Sequence, residues 1–410
     1  MKQFIDGIVD LKAIIVRPGS VITKPGINVY VFGDLEGQAD LLLNALIELK
    51  IVGMPAGDDL RDGRLSWIAD DNTYVVQCGD QVDPGKRWAT TKPDRTPELD
   101  IDALILTAYL AKVSGDRFIN LIGNHEWENV IDKHDGCSGK GSECKTDPAD
   151  KTRAELFGFE GIVGKILRQR HLMFKINHVL FTHAGLCTEV VEALLPGATG
   201  GVKEIISATT AFLDDHNNWG PKEEDAISSA DYRLFFDSRA KPNPPEGGSD
   251  EGGSAGFSIM FNREYVVNST RFTPGRGLIP TPLNSEINMQ VIGHNKSTDA
   301  DTSKVTMQYI KRDSGAAMQF VTNVEEGAQL KIPPSSECVI MADALLPRDP
   351  MIMPYMVMTF ATELELECQF GSVGCDGGSC VSFGKVLGNV LPRKPRDEEQ
   401  HVNVNMDDAF

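Results

Sequence analysis

Carboxylates, a carboxamide and imidazoles recur along this chain in five short polar clusters. They are Gly33-Asp34-Leu35-Glu36-Gly37, Gly79-Asp80-Gln81-Val82-Asp83, Gly123-Asn124-His125-Glu126, His183-Ala184-Gly185-Leu186 and Gly293-His294-Asn295. Each of the first four follows an apolar, β-branched run (Val29 to Phe32, Tyr74 to Val76, Phe118 to Ile122, Val179 to Phe181), which places it at the carboxyl end of a buried strand. Open α/β sheets build their sites at those ends. Oxygen and nitrogen donors from successive strand ends can converge on two divalent ions about 3.5–4 Å apart, a spacing suited to clamping a transferring phosphoryl group.

The elements between the clusters follow the same logic. Leu41, Leu42, Leu43, Ala45, Leu46 and Leu49 fall at helical spacing within 37–52, so a helix crosses over after the first strand. Residues 99–113 read as a second crossover helix, with Ile101, Leu104, Ile105, Ala108 and Tyr109 on one face. The Gly- and Asp-rich stretch 53–72 predicts a turn or short hairpin, and Asn177-His178 predicts a two-residue hairpin turn, which makes His178 a turn residue rather than a ligand. The apolar run Met289 to Ile292 predicts a further strand just before His294.

The formal charge of −19 argues against a broad nucleic-acid or anionic-membrane surface, because both call for clustered Lys and Arg. It does not argue against a phosphate substrate, since bound cations dominate their local field. No apolar run approaches the ~20 residues that span a bilayer. The start, Met1-Lys2-Gln3-Phe4-Ile5-Asp6, lacks the apolar core of a secretory signal, so a soluble cytoplasmic protein is expected. Eight cysteines over 410 residues are too sparse for a disulfide scaffold. Cys137 with Cys144 and Cys368 with Cys375 share one spacing, with Cys380 close behind, and fit no zinc pattern well; ordinary thiols or crosslinks formed under oxidation are expected. Cys78 reads as a small core residue.

In sequence order the clusters resemble those of the calcineurin-like metallophosphoesterases, and within them the phosphoprotein phosphatases. His183-Ala184-Gly185-Leu186 and Gly293-His294 are most similar to the versions in Shewanella-like phosphatases and diadenosine tetraphosphatases. The resemblance spans roughly residues 25–325. It implies an α/β fold, a four-layer α/β/β/α sandwich. The catalytic domain is expected over 1–325, with a Pro/Gly-rich connection at 241–256 and a C-terminal extension at 326–410 whose tail from about 392 is disordered.

The same resemblance implies the chemistry. Asp34 and a shared Asp80 would hold one divalent ion, and Asp80, Asn124, His183 and His294 a second. A hydroxide bridging the ions would attack phosphorus in line. His125 would protonate the leaving oxygen, with Asp83 orienting its imidazole. The implied activity is a metal-dependent phosphatase acting on phosphomonoesters, foremost phosphoserine and phosphothreonine in proteins. Two alternatives stay open: hydrolysis of dinucleoside polyphosphates or other small phosphoesters, and a scaffold protein that kept the fold but lost turnover.

Two positions depart from the family's pattern. Glu36 stands where the family has histidine. It either supplies an anionic oxygen ligand, favouring manganese or magnesium over zinc and making manganese the expected metal with iron, zinc or magnesium as alternatives, or points elsewhere. Pro84 replaces an arginine that clamps phosphate. Arg87, three residues on, is either a substitute clamp or a surface charge. Arg263 in Phe261-Asn262-Arg263-Glu264-Tyr265 is the stronger candidate, resembling an aromatic-x-Arg segment of the Shewanella-like phosphatases. The polar loop at 132–150 reads equally as a substrate-facing lid or a solvated insertion.

Overall fold

The structure, a computed structural model, describes residues 20–54, 65–83, 100–131, 153–194, 201–220, 259–260, 278–294, 307–312, 319–324, 326–342 and 352–374. The loop at 132–150, the connection at 241–256, the tail from 392, Cys137, Cys144, Cys375 and Cys380 lie outside them.

After a short strand β1 (Val21–Ile22), β2 (Ile27–Phe32) alternates its side chains. Ile27, Val29 and Val31 face the second sheet, while Tyr30 and Phe32 pack on the opposite side. That period of two is what a strand between two apolar layers requires. Helix α1 (Ala39–Glu48) follows and buries Leu41, Leu42, Leu43 and Leu46 against the outer face of β2 and its neighbours. Strands β3 (Val52–Gly53) and β4 (Ser66–Trp67) form a small antiparallel pair in the segment read as a turn or hairpin. β5 (Thr73–Gln77), α2 (Asp100–Val113) and β6 (Phe118–Asn120) complete a parallel β2-β5-β6 set.

Helices α3 (Asn124–Val130), α4 (Arg153–Phe157) and α5 (Ile162–Leu167) precede a hairpin of β7 (Met173–Ile176) and β8 (Val179–Thr182). Its two-residue turn is Asn177-His178, with Asn177 at φ 52°. Then come α6 (Thr188–Leu194), α7 (Val202–Asp214) and β9 (Met289–Ile292), which pairs parallel to β8.

The chain closes with β10 (Met307–Arg312), β11 (Gln319–Val324), β12 (Gln329–Ile332), β13 (Glu337–Met341), β14 (Ile352–Phe360) and β15 (Leu366–Gly374). One sheet runs β1-β7-β8-β9-β13-β10-β11 and the other β12-β15-β14-β2-β5-β6. Between them lies a core of Phe174, Phe181, Val291, Ile340, Met356, Met358 and Phe360 with the inward side chains of β2. Helices α1 and α2 cover one outer face. Helices α3 to α7 cover the other, around Trp127, Phe157 and Leu180. The architecture is therefore an α/β/β/α sandwich.

The expected division at residue 325 falls between β11 and β12, and the segment beyond it is not an appendage to finished sheets. β13 inserts between β9 and β10, and β14 pairs antiparallel with β2 along Met356–Phe360. Without β14, β2 would leave a row of main-chain donors and acceptors unpaired in the middle of its sheet. Cys78, Cys338 and Cys368 are buried in the inter-sheet core, as Cys78 was read to be. No helix among the described residues is long and apolar enough to cross a membrane.

Candidate active site

All five polar clusters emerge from strand ends on one side of the sandwich. Asp34, Asp80 and Asn124 follow β2, β5 and β6 of one sheet; His183 and His294 follow β8 and β9 of the other. Three parallel neighbours thus face two parallel neighbours across the inter-sheet seam.

Main-chain bonds lock the loops together. The N–H groups of Leu35 and Glu36 both donate to Asp80 O at 2.9 Å, and Gly37 N–H donates to Gln81 O at 2.8 Å. The Glu126 carboxylate accepts from Gly123 N (2.7 Å), Asp80 N (3.0 Å), Gln81 N (2.6 Å) and Val82 N (3.2 Å). It thereby ties the Asp80 loop to the start of α3. Burial and the neighbouring Asp80 charge raise the Glu126 pKa, while the buried Arg170 guanidinium and those N–H groups oppose the rise. Beneath, Gln77 Nε2 donates to the carbonyls of Gly33 (2.9 Å) and Gly79 (2.7 Å), and Gln81 donates to Gln77 Oε1.

The close fit is visible at two glycines. A Cβ on Gly123 would lie 2.1 Å from Asp80 Oδ1, and one on Gly293 would lie 2.9 Å from both Asp34 Oδ1 and His183 Nδ1. Glu36, Asp80, Asp83 and His294 all hold positive φ (44°, 50°, 60° and 53°), a conformation costly for residues with a side chain. Four such residues in one site fit the tendency of strain to collect where chemistry is done.

His183 Nδ1 lies 2.8 Å from Cys78 O, so that nitrogen carries the proton. Nε2 faces the site, 3.0 Å from Asn124 Oδ1 and 3.4 Å from Asp80 Oδ2. The His294 ring lies 5.2 Å from that of His183, centroid to centroid. One donor atom each from Asp80, His183 and His294 falls within a 4.8 Å span. A carboxylate, an imidazole whose Nδ1 is fixed by a carbonyl and a second imidazole, with an amide oxygen alongside, form a donor set that fits a divalent transition ion. Asp34 Oδ1 stands 4.0 Å from His183 Nδ1, and Glu36 is buried in the same loop.

Burial works against the Asp80 charge, but His183, His125 and His294 outweigh it and hold the carboxyl well below the usual range. Burial likewise opposes charge on His183, while Asp80 and the Cys78 carbonyl raise its pKa. His125 is placed between two carboxylates. Its Nε2 is 3.6 Å from Asp80 Oδ2 and its Nδ1 is 3.4 Å from Asp83 Oδ2. Burial again opposes the charge, and Asp80 and Asp83 carry the His125 pKa well above its ordinary value. Nearby, burial pushes the Glu128 carboxyl up to about 7.

Asp34, Asp80, Asp83, Asn124, His125, His183 and His294 thus meet at one seam, and Glu36 is tied to it through its main-chain bond to Asp80 O. Arg87, Pro84 and Arg263 lie outside the described residues. His178 is far from the site, at the hairpin turn against Phe360. Sequence reasoning gave no role to Glu126, Asn129, Arg153 or Arg170. Glu126 carried a signal as the fourth residue of its cluster; Arg153, seventy positions from the Asp83 it contacts, carried none.

A family model for calcineurin-like phosphoesterases matches residues 27–261. The chain belongs to that family, and is a metal-dependent phosphoester hydrolase. No curated protein matches it. Among solved structures, it is similar to a cold-active protein-tyrosine phosphatase of a psychrophilic Shewanella species, with 18% identity, 84% of this chain and 78% of that one covered, and a TM-score of 0.52. A second structure described as a cold-active protein tyrosine phosphatase gives 17% identity, 83% and 76% coverage, and a TM-score of 0.51. At these identities the likeness is one of fold.

Proposed function

We propose that the chain is a two-metal phosphomonoesterase whose substrates are phosphoserine and phosphothreonine in proteins. Asp34, Glu36 and Asp80 would hold one ion, and Asp80, Asn124, His183 and His294 the other. The carboxylate-rich first set favours manganese. Two such ions supply Lewis-acid polarisation of the phosphoryl oxygens and a water-derived nucleophile at neutral pH.

The observation that carries the reading is the position of His125 between Asp80 and Asp83. Asp83 faces Nδ1, so the proton available to a departing alkoxide is the one on Nε2, beside the Asp80 carboxylate. Asp83 holds the ring and favours its protonated form. Arg263 and Arg87 are proposed to bind the phosphate oxygens.

The test is hydrolysis of para-nitrophenyl phosphate by protein stripped of metal and reloaded separately with manganese, magnesium, iron or zinc, with bound metal counted in parallel. Phosphoserine, phosphothreonine and phosphotyrosine peptides and diadenosine tetraphosphate follow. Turnover that tracks two ions per chain and favours phosphoserine and phosphothreonine peptides is expected. Preference for phosphotyrosine, the substrate class named for the Shewanella neighbour, or for the dinucleotide would replace the substrate assignment; stable protein without turnover would replace the enzyme with a scaffold. His125→Asn is expected to keep both metals and slow esters of poor leaving groups by about 10²–10⁴-fold.

A further inference from the structure

We propose that Arg153 and Asn129 are positioning residues for the proton transfer, fixing the Asp83 carboxylate so that Oδ2 faces His125 Nδ1. The inference rests on reading His125 as the general acid.

Asp83 sits one residue before Pro84 with φ at 60°, so its own backbone does not favour the conformation it holds. Among the described residues, Arg153 and Asn129 each donate to one of its oxygens. Arg153 Nη2 donates to Oδ1 at 2.8 Å, and Asn129 Nδ2 donates to Oδ2 at 2.7 Å. The remaining side of Oδ2 faces the imidazole at 3.4 Å, a few tenths of an ångström beyond a formed bond. Catalytic bonds of this kind tighten when substrate completes the site.

The clamp is oriented in turn. Arg153 Nε donates to Asn129 Oδ1, which sets the Asn129 amide with its NH₂ toward the carboxylate. The same Nδ2 donates at 2.8 Å to the main-chain oxygen of His125, one turn back along α3. Asn129 therefore ties the backbone of the acid to the carboxylate that orients its ring. The Arg153 guanidinium lies over the Phe157 ring at 4.8 Å, one turn along α4. Arg153, Asn129 and Asp83 are each at most 5% exposed, so water competes little for these bonds. A neutral amide or an apolar packing residue would fill the space; a buried guanidinium divided between Asp83 and Asn129 fixes a direction.

The experiment compares metal-loaded wild type, His125→Asn, Arg153→Met and Asn129→Ser on phenyl phosphate and on 2,4-dinitrophenyl phosphate, whose leaving group needs little protonation. Bound metal is counted for each, and the imidazole tautomer of His125 is read by nitrogen NMR on the metal-free proteins. Arg153→Met and Asn129→Ser are expected to lose about tenfold or more on phenyl phosphate and less than about threefold on the dinitrophenyl ester, at wild-type metal content. At a pH above that at which the His125 ring loses its proton, they should also mix the two neutral tautomers where wild type holds Nδ1–H toward Asp83. Asn129→Ser keeps the Arg153–Asp83 ion pair and carries the test if Arg153→Met does not fold.

Equal losses on both esters, or an unchanged tautomer, would reduce the pair to structural support and overturn the inference. If His125→Asn shows the leaving-group split and the other two do not, the inference fails and the proposed function stands. If wild type turns over neither ester, both fall.

Discussion

Residue by residue, the seam is built from groups that hold one another. Asn124 and His183 illustrate this, since Asn124 Oδ1 meets the same imidazole nitrogen that faces Asp80. Asn124→Ala and His183→Ala are each expected to lower bound metal below two ions per chain, checked by elemental analysis after metal loading. Full occupancy in both would remove them as ligands. Glu126 is a different case, a carboxylate serving four main-chain donors. Glu126→Gln turns one acceptor oxygen into a donor facing N–H groups, and is expected to cost about 2–4 kcal/mol in urea unfolding. A change under about 1 kcal/mol would mean the loops are held without it.

At the scale of elements, the β7–β8 hairpin shows what the sequence disclosed and what it hid. Asn177-His178 was legible as a turn from its neighbours. Its burial was not, because the covering segment is 361–365, between β14 and β15 of the other sheet. Asn177 exchanges bonds with Lys24 (N to Oδ1 2.8 Å, Nδ2 to O 3.0 Å), and His178 Nδ1 lies 2.6 Å from Glu363 O. Burial lowers the His178 pKa below 6.5, the Glu363 carbonyl opposes that, and Lys175 adds to it. The folded state therefore prefers the neutral ring. Its contribution is complete above the unfolded pKa near 6.5 and is lost as pH falls from there through the lower folded value. His178→Asn keeps a donor toward Glu363 and removes the titration. The thermal midpoint of wild type is expected to fall more steeply than that of His178→Asn between about pH 6.5 and 5; parallel curves would show that this ring does not contribute.

Across the whole molecule, the site was the more legible part and the fold's closure the less. Ligand types placed directly after β-branched runs disclosed five strand ends, because a polar cluster after a buried strand has few other uses. The strands from β12 onward carry no such clusters, and the inward side chains of β14 are methionines, Met356 and Met358, beside Phe360, so this segment read as an extension. Pairing partners so distant in sequence leave no local periodic signal. A chain cut after residue 325 loses β12 to β15 and exposes the β2 edge. It is expected to be insoluble or to lack a cooperative thermal transition, checked by circular dichroism and scanning calorimetry. A soluble, cooperatively melting fragment would show that the first 325 residues suffice.

The contact between Thr359 Oγ1 and Asn28 Oδ1, at 2.9 Å, joins groups separated by 331 positions. During translation at about 5–20 residues per second, β2 waits on the order of 15–60 s for the strand that flanks it. Throughout that interval the strand leading to Asp34 has one side open, and contacts of such separation are the slowest to form. The loops from the two sheets are expected to reach their final spacing once this late strand has docked on β2. Metal capture by the finished seam is therefore expected only after β14 has been made, and a nascent chain stalled before β14 would present an exposed strand edge to chaperones rather than a working site to phosphate esters.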